Sequence, residues 1–495
     1  MNKFYSFCYK FILVVALILL VFLGVTNIFI YGHLDSNLTE HMEFRRNGIS
    51  FFILLAVFAI VIGKLKDVIG KIPAWKIVVV CSLFYVIAGL YICFRVPDTL
   101  SGDPYMIYKY AQKFLEKDYE GLTGGYYMRL FPYQLGMVTF EMGLLSIWRS
   151  TRIFFIAFLV LVLGINLIQW KTIELMFDDE RVTSCCVLLS YGFAPMLLYI
   201  LFVYGSIPGF FFVCAGYYFL VRYLKKDSIP GLILSALFLG CAVIFKPNYL
   251  IAVMAYGIIL FMELIRKPDV KRTLILILAV ALALAPGFGF NQMWKKISGV
   301  NFDGGAPYML NVTMGLQPEE MGVGRLGGWY NGYNFDTFTN TGYDVEASKK
   351  IAKDDCLELI EYWRSGKDDP VKFFKEKLLS TWCDPLFQSV WSGPLEEAGQ
   401  RVDDKILHSL YSNGHLEMAL EKYMNLFMVL VYLLAALWCL RKLKNKHPDT
   451  ECLFFLLLFI GSLMFHFISE TKSQYVFMFA YGLIPYAAAG LARKN

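Results

Sequence analysis

The chain has 495 residues, of which 57% are hydrophobic and 17% charged, and its formal net charge is +6. Soluble globular proteins have about 25% charged residues, so this composition excludes an ordinary soluble protein. Apolar runs of about 17–20 residues recur along the whole chain and predict an integral membrane protein with many helical spans. The positive charges fall in short loops between these runs, so they do not indicate nucleic-acid binding.

The apolar runs predict an all-α polytopic fold with about 12 transmembrane helices. They lie near residues 11–31, 48–63, 77–95, 153–176, 183–203, 207–224, 231–246, 249–265, 273–290, 423–440, 451–468 and 475–492. Cytoplasmic loops are enriched in Lys and Arg. The basic loops of this chain fall on one side if both termini are cytoplasmic, and Arg45 and Arg46 are the departure from that arrangement.

Residues 130–148 are apolar enough to suggest a further span. If they crossed the membrane, every later basic loop would lie outside. The charge distribution therefore predicts a re-entrant or interfacial helix here, with Glu141 near its middle.

Four regions follow from this arrangement. Residues 1–76 are predicted to be two additional N-terminal transmembrane helices, and residues 77–290 a transmembrane core with an external loop at 95–152 that bears interfacial helices. Residues 291–422 are too long for a simple connection and predict a small, mostly helical external domain. Residues 423–495 are predicted to hold the C-terminal transmembrane helices.

The external loop 95–152 carries the first candidate for chemistry. Asp103 precedes Pro104 and an amphipathic segment, a pattern typical of a helix N-cap followed by Pro in the first turn. The same carboxylate at a membrane surface could act as a base on a lipid-linked substrate, and the two interpretations are compatible. Asp98, five residues earlier, is interpreted as a solvated loop acid or as a second substrate-binding carboxylate.

Two cationic positions fall at the same predicted membrane face as Asp103. Lys246 ends an apolar run, where it is either a lysine that reaches the interface or a cation that binds the phosphate of a lipid carrier. Glu470 and Lys472 lie in the tight turn ETKSQY between the last two spans and could simply pair with each other. An acid and two cations at one membrane face are the groups expected of a site that combines a general base with phosphate binding.

Other signals are weaker. Cys356 and Cys383 fall in the polar region and could form a disulfide, while His33, His41 and His466 are isolated and are interpreted as structural. The sequence shows no phosphate-binding glycine loop, no HExxH and no Cys/His metal spacing.

The motifs GDPYMIYKYAQKFLEKDYE, GGYY and FPYQLG, then FKPN and ETKSQY, resemble the GT-C superfamily of polyprenyl-phosphate-sugar glycosyltransferases. The nearest branch is related to protein O-mannosyltransferases and lipid A aminoarabinose transferases in their bacterial form. The resemblance covers the chain from about residue 76 to the end. It implies a GT-C type fold with the active site on the outer face of a bacterial cell membrane.

The resemblance also implies roles for individual residues. Asp103 matches the family's general base, and Lys246 and Lys472 match cations that hold the leaving lipid phosphate. The matching motifs imply substrate-binding positions at Tyr126, Gln134, Asn248, Glu470 and Tyr475. The O-mannosyltransferases have Asp-Glu where this chain has Asp103-Pro104, and an acid where it has YGSIPG, which counts against a metal site and a protein acceptor. A divalent metal stays an open alternative.

The expected function is therefore that of an inverting glycosyltransferase. It would move a sugar from a polyprenyl-phosphate donor to a hydroxyl of a cell-wall polymer, a lipid-linked glycan or a glycolipid, with membrane lipids as further partners and no nucleic acid. The alternatives are a polytopic transporter or lipid flippase, a protein O-glycosyltransferase and a non-catalytic partner in glycan assembly. Transporters typically show repeats and broken helices with polar residues near the middle of the membrane.

Overall fold

The protein is an all-α polytopic membrane protein, as the composition predicted. The computed structural model describes residues 3–35, 40–321, 324–445 and 449–492. Within these ranges, nine helices are long and apolar enough to cross a membrane, or ten if the bent pair Glu180–Gly192 and Pro195–Leu201 counts as one span. A single two-stranded hairpin is the exception to the helical architecture of the part described.

The N-terminal part forms three long helices and the hairpin. Its elements are α1 (Lys3–Phe29), β1 (Ile30–Leu34), β2 (Met42–Arg46), α2 (Ile49–Ile69) and α3 (Ala74–Arg95). The strands are antiparallel, with Ile30 opposite Arg46. The helix α1 packs along the C-terminal helix His415–Leu443, so the N-terminal part is in close contact with the rest of the protein.

The loop after α3 contains three short helices. They are α4 (Gly102–Leu115), α5 (Tyr127–Leu130) and α6 (Leu135–Leu145). The apolar face of α4 includes the buried residues Ile107, Ala111 and Phe114, and α4 packs against α6. The 11 residues of α6 extend only about 16 Å, about half of the hydrocarbon thickness, so residues 130–148 do not form a spanning helix. Glu141 is fully buried within α6.

The central helices form a closely packed bundle. They are α7 (Arg152–Phe177), α8 (Glu180–Gly192), α9 (Pro195–Leu198), α10 (Ser206–Lys226), α11 (Ile229–Phe245), α12 (Leu250–Arg266) and α13 (Val270–Ser298). The helix α10 packs along both α7 and α11, and α11 packs along α13. At the α11–α13 contact a Cβ added to Gly240 would lie 2.6 Å from the carbonyl oxygen of Ala283, so only glycine permits this approach.

The predicted external region contains five helices. They are α14 (Met309–Gly315), α15 (Tyr333–Asn340), α16 (Val345–Arg364), α17 (Pro370–Trp382) and α18 (Lys405–Tyr411). Three of them begin at aspartate N-caps, at Asp344, Asp369 and Asp404, whose side chains accept backbone N–H groups of the first turn.

The suggested disulfide between Cys356 and Cys383 is absent. Both thiols are free, and Cys383 instead accepts a hydrogen bond from Asn27 of α1. The presence of two cysteines in one polar region does not determine the distance between them. The sequence alone could therefore not decide whether they form a disulfide.

The C-terminal helices complete the bundle. They are α19 (His415–Leu443), α20 (Phe454–Ile468), α21 (Phe477–Tyr481) and α22 (Ile484–Ala492). The last predicted span, 475–492, is thus divided into two short helices. The turn between α20 and α21 includes a 3-10 helix at Ser473–Tyr475 and carries the ETKSQY motif into the interior.

Candidate active site

A cavity of about 1320 Å³ lies where the ends of several helices meet the segments that connect them. It brings together seven of the nine residues proposed from the sequence: Asp103, Gln134, Lys246, Asn248, Glu470, Lys472 and Tyr475. Residues that the sequence did not suggest also line it, among them Glu40, Tyr127, Tyr133, Tyr204, Arg325, Tyr330 and His466.

Asp103 is in the first turn of α4, not at its N-cap. Ser101 occupies the cap position, and Gly102 adopts a left-handed backbone with φ of +59°. The prediction that Asp103 caps the helix is therefore wrong, and its carboxylate is free to face the cavity. Burial raises the pKa of Asp103 above its usual value, while the charge of Lys472 and a hydrogen bond from Tyr127 partly oppose that shift. A base with a raised pKa is better matched to proton abstraction near neutral pH.

Lys246 follows the last residue of α11 and is 7% exposed. Its Nζ donates to Ser206 Oγ at 2.8 Å and lies 5.3 Å and 4.9 Å from the ring centres of Tyr204 and Tyr475. Burial lowers the pKa of Lys246 to about 7, although the Glu470 charge opposes the shift. The lysine is therefore a desolvated cation that lines the cavity and is buried inside the protein.

The turn after α20 is fixed by backbone hydrogen bonds to the predicted external region. The N–H of Glu470 donates to the carbonyl of Asn311 at 2.8 Å, and the N–H of Thr471 donates to the carbonyl of Gly328 at 3.0 Å. Gly328 has φ of +76°, a conformation that favours glycine. These contacts hold the turn at the cavity wall.

Glu470 and Lys472 do not pair with each other, so that interpretation of the ETKSQY motif is wrong. Glu470 accepts a hydrogen bond from the Tyr475 hydroxyl at 3.0 Å. Lys472 donates to both carboxylate oxygens of Glu40, at 2.6 Å and 2.7 Å. The turn directs the two side chains to different partners, and burial raises the pKa of Glu470 above its usual value.

A second cation stands beside Lys472. Arg325 Nε lies 3.3 Å from the Glu40 carboxylate, and both cations lie over the Tyr330 ring, at 5.7 Å for Arg325 and 5.3 Å for Lys472. No local pattern in the sequence marks Glu40 or Arg325, because each lies in an irregular segment and acts on residues far away in the chain. Only the assembled fold identifies them.

Tyrosines form a wall next to Asp103. Tyr127 is hydrogen-bonded to Asp103, and the amide of Gln134 donates to the Tyr204 hydroxyl. Tyr133 lies within reach of the same hydroxyl. An aromatic and amide surface of this kind is suited to sugar rings, which combine apolar faces with hydroxyl groups.

Two of the proposed residues lie elsewhere. Asp98 accepts hydrogen bonds from Thr151 and from Ser150 Oγ, the latter at 3.0 Å, and so holds the start of α7. Tyr126 donates its hydroxyl to Glu120 at 2.7 Å on the outer side of the loop. Neither residue lines the cavity, so the structure gives no support to a substrate-binding role for Asp98 or Tyr126.

His466 was interpreted as structural from its isolation, but it lines the cavity. Its ring stacks on Tyr475 with centres 5.5 Å apart, and its Nδ1 lies 3.2 Å from the carbonyl oxygen of Glu470. Its position in the last turn of α20, two residues before the helix ends, is the signal that could have identified it. His33 pairs with Glu421 at 2.6 Å, as a structural histidine would.

The described part of the chain contains no group of three or more His, Cys, Asp and Glu side chains that could hold a metal ion. The cavity carboxylates instead have organic cations or hydroxyls as neighbours: Lys472 and Arg325 beside Glu40, and Tyr475 beside Glu470. The residues present therefore do not fit the divalent metal that the family resemblance left open.

No family model and no curated protein matches the chain. Among solved structures, it is similar to the archaeal oligosaccharyltransferase AglB from Archaeoglobus fulgidus, determined in complex with an inhibitory peptide and a dolichol-phosphate. The identity is 13% and the TM-score 0.45, over 85% of this chain and 50% of that chain. The chain thus spans about half the length of that enzyme.

Proposed function

We propose that the protein is a GT-C type membrane glycosyltransferase that moves a sugar from a polyprenyl-phosphate carrier to an acceptor hydroxyl. One observation carries the proposal: a carboxylate, Asp103, and three cations, Lys246, Lys472 and Arg325, line the same cavity at the ends of apolar helices. A base and a set of cations are the two requirements for displacing a sugar from a phosphate.

The donor fits the cavity in two parts. Its phosphate binds near Lys246, Lys472 and Arg325, which stabilise the charge that develops on the leaving group. Its apolar chain passes along the start of α12, where the cavity-lining residues Leu250 and Met254 are 42% and 58% exposed. These exposed apolar side chains would give a hydrocarbon chain an environment like that of the membrane interior.

Asp103 acts as the general base. The acceptor oxygen attacks the anomeric carbon while its proton passes to the Asp103 carboxylate. The bond between that carbon and the phosphate oxygen breaks, and its electron pair leaves with the lipid phosphate. Because a single displacement occurs at the anomeric carbon, the product has the inverted configuration.

The acceptor is proposed to be a cell-wall polymer, a lipid-linked glycan or a surface glycolipid, reached on the outer face of a bacterial membrane. Two features support a large polar acceptor. Residues of the predicted external region, such as Asn311 and Trp391, line the cavity, and the distribution of basic loops predicts that this region lies outside.

The test is sugar transfer by the purified protein from a panel of undecaprenyl-phosphate hexoses, with the envelope fraction of the source cells as the acceptor pool. Asp103→Asn keeps the shape of the side chain and removes the base. We expect it to fold normally and to lose about 10²–10⁴-fold in rate.

Asp98→Asn is the matched control, since it makes the same change at an acid that holds the start of α7. It should keep most of the transfer activity. Unchanged transfer in Asp103→Asn would reject this residue as the base, and absence of transfer by the wild type with every donor would favour a transporter or a non-catalytic partner.

A further inference from the structure

Glu40 reaches the cavity from the N-terminal hairpin. The hairpin is anchored on both sides: the N–H of Gly32 donates to the carbonyl of Cys383 at 2.8 Å, and His33 pairs with Glu421 of α19 at 2.6 Å. Glu40 lies two residues before β2 and is 1% exposed, so its position is set by the surrounding fold.

The Glu40 carboxylate is held by three donors. Lys472 Nζ contacts its two oxygens at 2.6 Å and 2.7 Å, Arg325 Nε lies at 3.3 Å, and the amide of Gln388 donates at 3.4 Å. This arrangement of a buried carboxylate between Lys and Arg resembles the way proteins bind an oxyanion. Glu40 thus occupies the anion position between these cations.

Any anion that binds Lys472 and Arg325 must compete with Glu40 for their N–H groups. The group of three carries one net positive charge, from two cations and one carboxylate. The proposed donor is a phosphodiester with one negative charge. The lipid-phosphate product is a monoester, whose second ionisation near pH 6 gives it up to two charges. Two cations without Glu40 would therefore hold the product more tightly than the donor.

We propose that Glu40 is a positioning residue that competes with phosphate for Lys472 and Arg325 and thereby weakens the binding of the lipid-phosphate product. This inference rests on the proposed function, since it assigns the cations to the lipid phosphate. It gives the N-terminal hairpin a direct part in the site. Glu40 keeps the two cations in place when the cavity is empty and favours release of the more highly charged product after transfer.

The test is direct binding of farnesyl phosphate to the full-length protein in nanodiscs, with farnesol and inorganic phosphate as separate probes. Glu40→Gln keeps the size of the side chain and removes the competing charge. We expect farnesyl phosphate to bind about tenfold more tightly, with no change for farnesol. A gain for inorganic phosphate alone would show a site for free phosphate and overturn the assignment to a lipid phosphate.

Glu43→Gln is the matched control, because Glu43 is on the same hairpin, is half exposed and pairs with Arg45 at 3.1 Å. It should leave every affinity unchanged. Adding Lys472→Met to Glu40→Gln should abolish the gain. A purely structural role of Glu40 predicts the opposite sign, since a loosened site would bind phosphate more weakly.

Glu40→Asp provides a second route if Glu40→Gln does not fold. The shorter carboxylate reaches the cations less well, so we expect about twofold to threefold tighter binding. Unchanged or weaker binding of farnesyl phosphate in the folded variants would overturn the proposal. The binding assay does not depend on sugar transfer. If the Glu40 variants bind farnesyl phosphate more tightly but the wild type transfers no sugar, the proposed function is contradicted. The proposed competition between Glu40 and phosphate would still hold.

Discussion

Lys246 Nζ donates to Ser206 Oγ at 2.8 Å, and this neutral hydroxyl is the nearest partner of a buried cation. The charges that face the lysine from other elements are those of Glu470 and Asp103, and Tyr204 and Tyr475 cover it with their rings. The ammonium is held by dipoles and ring faces, which leaves its charge available for a substrate anion.

The pH dependence of donor use should depend on Lys246. Its pKa is about 7, so the ammonium loses its proton as the pH rises through 7 and binding of the phosphate weakens. We expect kcat/KM of the wild type to fall about tenfold between pH 6 and pH 8. Lys246→Arg, which stays charged, should remove this alkaline decrease. The control is Lys353→Arg, at an exposed position that does not line the cavity. An unchanged alkaline decrease in Lys246→Arg would assign the decrease to another group.

Tyr127→Phe should change the pH dependence of kcat/KM on its acidic side. The tyrosine hydrogen bond stabilises the ionised form of Asp103 and so lowers the pKa of that carboxyl. Without it, that pKa rises, and activity is lost at a higher pH as the base becomes protonated. We expect the acid limb to move upward by about one pH unit. Tyr126→Phe, at the adjacent residue bonded to Glu120, should leave the limb in place.

Gly205→Ala should destabilise the protein. A Cβ at this position would lie 2.0 Å from the carbonyl oxygen of Phe245, next to Lys246, so the backbone would have to shift. Overpacking of this kind costs about 1–3 kcal/mol. Gly257→Ala is the control, because no atom lies within 4 Å of the added Cβ. Thermal unfolding of the two purified variants compares them, and equal melting temperatures would contradict the close approach.

The predicted topology puts Lys226 and Lys350 on opposite sides of the membrane, and both residues are exposed. A membrane-impermeant maleimide should label Lys350→Cys in intact cells, and should label Lys226→Cys only after the cells are permeabilised. The wild type measures the background from the native cysteines. Labelling of both positions in intact cells would reject the orientation derived from the charges.

The helical scaffold could be predicted because membrane thickness constrains it. The run predicted at 153–176 appears as α7, Arg152–Phe177, and that at 77–95 as α3, Ala74–Arg95. A helix needs about 20 apolar residues to cross the bilayer, so length and hydropathy define its bounds. The hairpin β1–β2 has no such signal, since most of its residues lie in the short segment between two apolar runs, where membrane thickness sets no length.

The site was predicted in part. Lys246 could be found because a charge at the end of an apolar run is unusual. Asp103 could be found because it precedes Pro104 and an amphipathic segment in a polar loop. Glu40 could not, since its partner Lys472 is 432 residues away. The cap assignment for Asp103 failed because Gly102 takes a left-handed backbone, which leaves Ser101 in the cap position.

The contact between Glu40 and Lys472 has a consequence for the order in which the protein is assembled. Chains grow at about 5–20 residues per second, so roughly 20–90 seconds of synthesis separate these two residues. For most of that time α1 lacks its neighbour α19, and throughout it the anion position of the cavity lacks its lysine. The proposed phosphate site is therefore incomplete in the nascent protein until Lys472 has been synthesised. Partly synthesised chains would therefore lack the proposed binding site for a lipid phosphate.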